Sequence, residues 1–545
     1  MTPVFFKLYP KMVNRTVTLT AMALCMTAGS AHARSRTQVS PYLEVDQTVI
    51  TDLKGGNNDV LTYTNVSAGV DVTITGRRAE VQIDARYEHQ FGWSSITPDQ
   101  DIISGIARGR MSLIRDDLSL EGGALATRTR TDGYSGANNS LINVGDNVSQ
   151  IYSAYIGPTL STQVGDLGVN GAYRFGWTKV TDDPGVSIAG FAPNSYDQST
   201  YHSATLSVGM QPGVLLPFGW SVGAGYDRED ASELDQRYTD KWVRGDVTLP
   251  VTPTVALVGG VGYENIKISQ RDALRDTNGD PVITGNGHYV TDKSSPRLLA
   301  YDQDGMIWDA GVLWRPSRRT SLEARVGRRY GSMHYVGSFS WQSGRDSSLS
   351  VVLFDSVDSF GRRLTSGLAS LGTSDLIVER NPFSGDLTGC AYSTTGGGQC
   401  FNDTLSGIGG SNFRYRGVAA QYASRIGPWN WGAGLGYSQR KLIAAQGSVI
   451  AYLDGRKDQN YYANLFASRK LDDRSGIDTT LYGNYFESGF SNAGDVLNLG
   501  GYTSYYRTFG RRLTATASVG VDSVDPKGVD SVISALGQLG LRYQF

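Results

Sequence analysis

The chain has 545 residues, of which 67 are glycine and 30 are tyrosine, and only 19% are charged. The formal net charge of −2 argues against a nucleic-acid partner. Beyond residue 33 there is no run of about 18 apolar residues, so the sequence predicts no transmembrane helix.

Residues 1–33 have the three parts of a secretory signal peptide. Residues 1–15 are basic and contain no acidic residue, residues 16–28 form a short apolar run, and Ala31 and Ala33 form an A-x-A site. The run is too short for a spanning helix, so we expect cleavage after Ala33. The alternative is an N-terminal membrane anchor.

The rest of the chain repeats a period of two. Apolar and polar side chains alternate in residues 66–75, 79–88, 167–177, 429–440 and 512–522. This period is typical of β-strands, whose successive side chains point to opposite faces. The segments run about 10 residues and often end in Tyr or Trp, as in transmembrane β-strands with aromatic girdles. A soluble β-sandwich or propeller is the alternative, but it would have shorter strands or a blade repeat.

We count 22 such segments, and an even number from 18 to 22 would fit. They are 39–50, 61–75, 79–90, 103–114, 118–129, 150–162, 167–179, 200–211, 217–228, 240–250, 254–267, 305–315, 321–330, 333–342, 347–356, 412–424, 429–440, 459–469, 476–487, 497–508, 512–522 and 532–545. If the strands alternate in direction, the long connections 130–149, 180–199, 268–304 and 357–411 all fall on one side of the membrane.

The predicted fold is therefore all-β: a transmembrane, antiparallel, up-and-down β-barrel over residues 34–545, with 357–411 as a long extracellular loop. We expect no plug domain, because the first predicted strand begins at residue 39, close to the cleavage site. The wide lumen could still be narrowed by an infolded loop, for which 357–411 is the candidate.

The register opposite the apolar one should face the lumen. The charged residues predicted to line it include Arg86, Arg108, Arg110, Arg174, Arg325, Arg414, Arg416, Arg542, Asp84 and Glu88. They could form a charge-balanced, hydrated interior or a polar track for sugars or anions. The inward aromatic residues Tyr462, Phe466 and Tyr482 could stack on sugar rings or fill a gap against an infolded loop.

Cys390 and Cys400 are the only cysteines after the signal peptide, and an oxidising compartment would favour a disulfide between them over two free thiols. The sequence shows no nucleophile or metal motif. "DTNGDP" starts like a calcium loop, but Pro281 and Gly287 stand where that loop needs Gly and Glu. We expect no enzyme activity, no cofactor and no metal.

The chain ends "QLGLRYQF", which resembles the C-terminal insertion signal of bacterial outer-membrane proteins. Gln538, Gly540, Tyr543 and Phe545 fill the polar, glycine, aromatic and terminal phenylalanine places. The resemblance implies that the barrel assembly machinery inserts the chain into the outer membrane of a Gram-negative bacterium, among outer-membrane lipid.

Residues 38–92 also resemble a narrower family. "VSPYLEVDQTVITDL" and "GVDVTITGRRAEVQIDARYEHQFGW" look like the start of β-barrel porins of sphingomonad-type α-proteobacteria, which are associated with exopolysaccharide and exosortase gene clusters. The resemblance implies a porin that passes carbohydrate, at the outer-membrane step of exopolysaccharide export, with polysaccharide and periplasmic export components as partners. The alternative is a structural or assembly-partner barrel without pore activity.

Overall fold

The computed structural model describes residues 36–55, 60–93, 99–130, 148–181, 196–284, 287–344, 346–373, 376–395, 398–490, 495–528 and 530–545. The predicted signal peptide lies outside these residues. Within the described part of the chain, no helix is both long and apolar enough to cross a membrane.

The first fifteen strands are β1 Arg36–Lys54, β2 Val60–Thr75, β3 Ala79–Gly92, β4 Gln100–Ile114, β5 Leu118–Arg130, β6 Val148–Val164, β7 Leu167–Thr181, β8 Gln198–Met210, β9 Gly219–Ala231, β10 Gln236–Pro250, β11 Val255–Gln270, β12 Leu298–Ser317, β13 Thr320–Arg329, β14 Ser332–Ser343 and β15 Ser347–Asp358. Then come α1 Phe360–Ser370, β16 Leu376–Arg380, β17 Leu387–Ser393, β18 Gln399–Cys400 and α2 Asn402–Leu405. The chain ends with β19 Asn412–Ile426, β20 Trp429–Ile443, β21 Lys457–Lys470, β22 Ser475–Glu487, β23 Val496–Phe509, β24 Leu513–Pro526 and β25 Val532–Gln544.

Strands β1–β15 and β19–β25 form one 22-stranded antiparallel sheet that closes on itself. Each strand pairs with the next in the ring, and β1 pairs with β25 from Tyr42 opposite Gln544 to Lys54 opposite Ile533. Every predicted strand overlaps one observed strand, and β14 and β15 are separate. The prediction of an all-β, antiparallel, 22-stranded barrel is confirmed.

The two ends of the barrel differ in the length of their connections. At the end that we call the turn end, the longest connection is 211–218. At the other, which we call the loop end, the connections include 131–147, 182–197, 271–297 and 359–411. The first two lie largely outside the described residues.

The outer face of the ring is apolar. Large apolar side chains in the outward register are exposed along the strands, among them Val45, Val261, Leu435, Val519 and Leu541. Aromatic side chains flank them near both ends: Trp314, Trp341 and Trp429 at the turn end, and Tyr87, Tyr335 and Tyr461 at the loop end. An apolar band between two aromatic girdles is the outer surface of a barrel whose strands cross a membrane.

Val519 tests this assignment of faces, because it lies in the middle of β24 with 66% of its surface exposed. We expect Val519→Arg to lower the free energy of unfolding in lipid vesicles by about 2–4 kcal/mol, since an arginine at the bilayer midplane loses its hydration. The control is Thr516→Arg, three residues earlier in the opposite register, opposite Gly540. Equal destabilisation by the two changes, measured by denaturant titration, would contradict the assignment.

Candidate functional site

The connection 359–411, which we call the lumenal loop, folds into the barrel. It joins the neighbouring strands β15 and β19 and contains α1, a three-stranded sheet of β16, β17 and β18, and α2. Its described residues contact inward-facing side chains from both sides of the ring. The lumenal loop therefore occupies part of the lumen.

Helix α1 is attached to the wall by an apolar face. Phe360, Leu364 and Leu368 follow the helical spacing of four, and the Ser359 side chain caps the helix by accepting from the Arg362 backbone N–H. The three apolar side chains pack on an inner apolar patch formed by Ile106, Leu125, Ile151 and Val180 of β4–β7. Full burial of each large apolar side chain contributes about 1.5–3 kcal/mol, so this contact holds α1 firmly.

A buried charge fixes the start of α1. The Arg362 guanidinium lies 3.2 Å from the Glu229 carboxylate of β9, and its Cζ lies 3.4 Å from the centre of the Tyr238 ring of β10. The Ser359 hydroxyl donates to the same carboxylate at 2.5 Å. Because a buried ion that loses its partner is strongly destabilising, these contacts favour one position of the helix.

The segment from β16 to β17 is bound by the neighbouring part of the wall, namely β2, β3, β5, β23 and β25. The Gln82 side chain donates to the Leu376 carbonyl at 2.7 Å and accepts from the Leu376 N–H at 3.0 Å. Arg128 forms a buried ion pair with Asp386 at 2.8 Å. Further contacts join Arg380 to Asp84, Tyr63 to the Phe383 carbonyl, Tyr502 to the Arg380 carbonyl and Gln538 to the Pro382 carbonyl.

A disulfide between Cys390 and Cys400 joins β17 to β18. It lies against β20, where a Cβ on Gly434 would stand 2.6 Å from the Cys400 sulfur, so only glycine allows this approach. The Ala391 carbonyl accepts from Gln421 at 2.9 Å. The third part of the loop is thus bound to β19 and β20.

The carboxyl group of Glu379, in β16 of the lumenal loop, has no cation to balance its charge among the described residues. Burial, together with the negative charge of Asp478, raises the pKa of the Glu379 carboxyl to about 8. The packed loop therefore favours the protonated form of this side chain.

The lumen has two unlike halves. Inward charged side chains near the turn end stay accessible to water, such as Arg110 at 56% and Asp71 at 41% exposure. Those toward the loop end are covered, such as Glu88 at 1% and Asp46 at 3%. The lumenal loop lies over the second half, and the first is a hydrated space that we call the vestibule.

Eight of the ten charged residues expected in the lumen are in the inward register: Arg86, Arg108, Arg110, Arg174, Arg325, Arg542, Asp84 and Glu88. Arg86 pairs with Glu44, Asp46 and Glu88. Arg108 donates to the Leu371 carbonyl of the lumenal loop at 3.0 Å. Arg174 lies over the Tyr155 ring, and Arg542 pairs with Asp71 at 2.8 Å.

The other two, Arg414 and Arg416, occupy the outward register of β19. Gly417 and Ser438 face each other in the inward register, so the adjacent pair of Arg416 and Gln439 faces outward. Both arginines form ion pairs with Asp355. Near the loop end the inward positions of β19 are Phe413 and Tyr415, which are buried. Tyr289 and Ile450, from the loop-end connections 271–297 and 444–456, belong to the same buried cluster as these two side chains. Apolar side chains therefore face inward there, and polarity no longer indicates the lumen.

The inward aromatic residues fill gaps against the lumenal loop. Phe466 packs on Tyr392 of β17 with ring centres 4.8 Å apart, and Tyr462 belongs to the same buried cluster as the disulfide. Tyr482 donates to Asp522 at 2.6 Å. Tyr462 and Phe466 are covered by the loop, which leaves no room on them for a sugar ring while the loop is packed.

At the C-terminus, the Gln538 side chain supports the loop, and a Cβ on Gly540 would stand 2.1 Å from an Asp46 carboxylate oxygen. Tyr543 and Phe545 are exposed on the outer face with ring centres 5.2 Å apart. These positions are compatible with a surface that another protein reads, and their role in insertion stays a prediction.

The sequence analysis did not identify the residues that fix the position of the lumenal loop, among them Arg362, Glu229 and Asp386. Two signals could have found α1: the spacing of Phe360, Leu364 and Leu368, and the four apolar residues of the inner apolar patch, which interrupt an otherwise polar register. The hydrogen bonds of β16 have no comparable sequence signal.

No family model and no curated protein matches the chain. Among solved structures it is similar to the FrpB iron transporter from Neisseria meningitidis, F5-1 variant, at 10% identity over 93% of this chain and 82% of that one, with a TM-score of 0.43. It is also similar to the siderophore receptor PirA from Acinetobacter baumannii, at 9% identity over 94% of this chain and 81% of that one, with a TM-score of 0.40. The ferric-catecholate import receptor Fiu from E. coli K12, open form, is 10% identical over 92% of this chain and 81% of that one, with a TM-score of 0.44. These values are too low to assign a substrate or a mechanism. The expected absence of a plug domain stays a prediction.

The pKa of Glu379 makes the packing of the lumenal loop dependent on pH. The Glu379 carboxyl binds its proton more tightly when the lumenal loop is packed than when the loop is released. The stability that this proton contributes to the packed loop is therefore fully present below the ordinary glutamate pKa and is lost as the pH rises through about 8. We expect amide hydrogen exchange in residues 376–393 to gain protection as the pH is lowered from 9 to 6, after correction for the intrinsic rate. Glu379→Gln should remove this dependence, whereas Glu487→Gln at the end of β22 should keep it. An unchanged profile in Glu379→Gln would contradict the interpretation.

Proposed function

We propose that the protein is an outer-membrane pore of a Gram-negative bacterium that passes carbohydrate, with the lumenal loop controlling passage. The loop end faces outward and the turn end faces the periplasm, since outer-membrane barrels have short periplasmic turns and long external loops. The observation that carries the proposal is the division of the lumen into an open vestibule and a half covered by the lumenal loop.

The ring is wide enough for such a role. A circular 22-stranded barrel with ordinary strand spacing and tilt has a backbone radius of roughly 20 Å. The lumenal loop alone is too small to fill a lumen of this width. The contacts that hold it to the wall are hydrogen bonds, ion pairs and apolar packing, so the loop can leave its place without breaking a covalent bond.

The charges of the vestibule support a hydrophilic solute of low net charge. Arg244 and Arg325 contact the carboxylates of Asp246 and Asp309, and Arg325 also pairs with Glu323. Charges of both signs alternate within one cluster, so the cluster offers hydrogen bonds without a strong field for cations or anions. Sugar hydroxyl groups both donate and accept, and they suit such a lining.

Export of an exopolysaccharide, with periplasmic export components as partners, is the finer proposal and rests on the resemblance of residues 38–92. Insertion by the barrel assembly machinery rests on the C-terminal resemblance and on the exposed Phe545.

The close packing of the lumenal loop favours a second candidate, a structural or assembly-partner barrel that never opens.

Replacing residues 360–410 with a short glycine–serine linker tests the pore directly, because β15 and β19 are neighbours and the linker closes a simple hairpin. In planar bilayers we expect the conductance of this variant to exceed that of the wild type at least about tenfold, since the lumen is then wide and hydrated. Vesicles that contain the variant should also swell in maltooligosaccharides. The matched control replaces the exposed residues 212–217, in the turn-end connection between the neighbouring strands β8 and β9, and should conduct like the wild type.

A folded, heat-modifiable variant that conducts no better than the wild type would contradict the pore and favour the structural barrel. The export proposal has a separate test: deletion of the gene should reduce polymer in the medium. Wild-type levels of polymer in the medium would contradict the export proposal without contradicting the pore proposal.

A further inference from the structure

A row of three cations crosses the outer face near the loop end. Arg414 of β19 stands directly opposite Lys441 of β20, and Lys441 stands directly opposite Lys457 of β21. All three are in the outward register, and both lysines are exposed. We call Arg414, Lys441 and Lys457 the outer basic row.

Within the described part of the chain, protein groups neutralise the charge of this row only at Arg414. Asp355 is the carboxylate that pairs with Arg414, and it is shared with Arg416. Among the described residues, no carboxylate forms an ion pair with Lys441 or Lys457. Like charges directly opposite each other destabilise a strand pair, so two neighbouring unpaired lysines point to an anion supplied from outside the chain.

An aromatic ladder fixes the depth of the row in the membrane. Tyr437, Tyr461 and Tyr485 stand side by side on β20, β21 and β22 in the same outward register, with ring centres 4.8 Å and 6.0 Å apart. Such tyrosines mark the boundary between hydrocarbon and headgroups. Lys441 and Lys457 are each four residues beyond a ladder tyrosine, roughly 10 Å along the membrane normal in a tilted strand.

We propose that the outer basic row binds the phosphorylated headgroup of a glycolipid in the membrane leaflet at the loop end. Facing residues of paired strands lie roughly 5 Å apart, so both ammonium groups can reach one phosphate. The ladder below packs along the acyl chains, and Gln439, between the two rows, offers hydrogen bonds to sugar hydroxyls. The inference is independent of the pore; only the identity of the leaflet follows from the proposed orientation.

The test measures binding of a diphosphorylated acylated glucosamine disaccharide (lipid A) to the detergent-purified full chain by native mass spectrometry. We expect Lys441→Gln/Lys457→Gln to bind roughly 30-fold more weakly than the wild type, given the contribution of each lysine near an anionic surface. The matched control is Lys241→Gln/Lys267→Gln, two exposed outward lysines of β10 and β11, where Lys267 stands opposite Asp302. It should bind like the wild type.

Two further outcomes decide the chemistry. Dephosphorylated lipid should bind the wild type as weakly as lipid A binds the double variant, and raised salt should weaken the wild-type complex, because the attraction is electrostatic. Heat-modifiable migration of the double variant shows that the barrel is folded. Equal binding of lipid A by the folded double variant, or of both lipids by the wild type, would overturn the proposal.

Discussion

The pairing of β1 with β25 is the contact on which the rest of the structure depends. No water is available in hydrocarbon to satisfy a free strand edge, so a sheet that crosses a membrane has to close. Closure commits each strand to one apolar and one inward face, and with 22 strands it produces a lumen too wide for wall side chains alone to fill. The width of the ring therefore requires water or another part of the chain inside.

The lumenal loop meets this requirement in one half of the barrel. Its apolar helix covers the inner apolar patch, and buried ion pairs such as Arg128 with Asp386 fix its position. Breaking such a pair leaves an uncompensated buried charge, so the loop has a well-defined packed state. Where the loop is absent, the wall carries mixed charges that water can hydrate. One chain thus combines a cover and a vestibule, and the proposed pore rests on this combination.

The strands were predictable because alternation is a local property: each of the 22 segments shows its own period, whatever its neighbours do. The position of the lumenal loop was not, since its bonds join residues distant in sequence, such as Gln82 and Leu376. Arg414 and Arg416 show a second limit. The rule that polar side chains face the lumen fails where the inner wall is covered by protein, and there the aromatic residues turn inward and the arginines outward.

The position of the lumenal loop inside the barrel can be measured directly in native outer membranes. A photo-reactive amino acid in place of the inward Gln82 should cross-link to residues 371–387 on illumination, because the Gln82 side chain contacts the backbone of Leu376. The same amino acid in place of the neighbouring Val81, in the outward register, should give no cross-link to the loop. Cross-linked peptides identified by mass spectrometry give the result. Cross-links from position 82 that avoid the loop, in a correctly assembled barrel, would contradict the account.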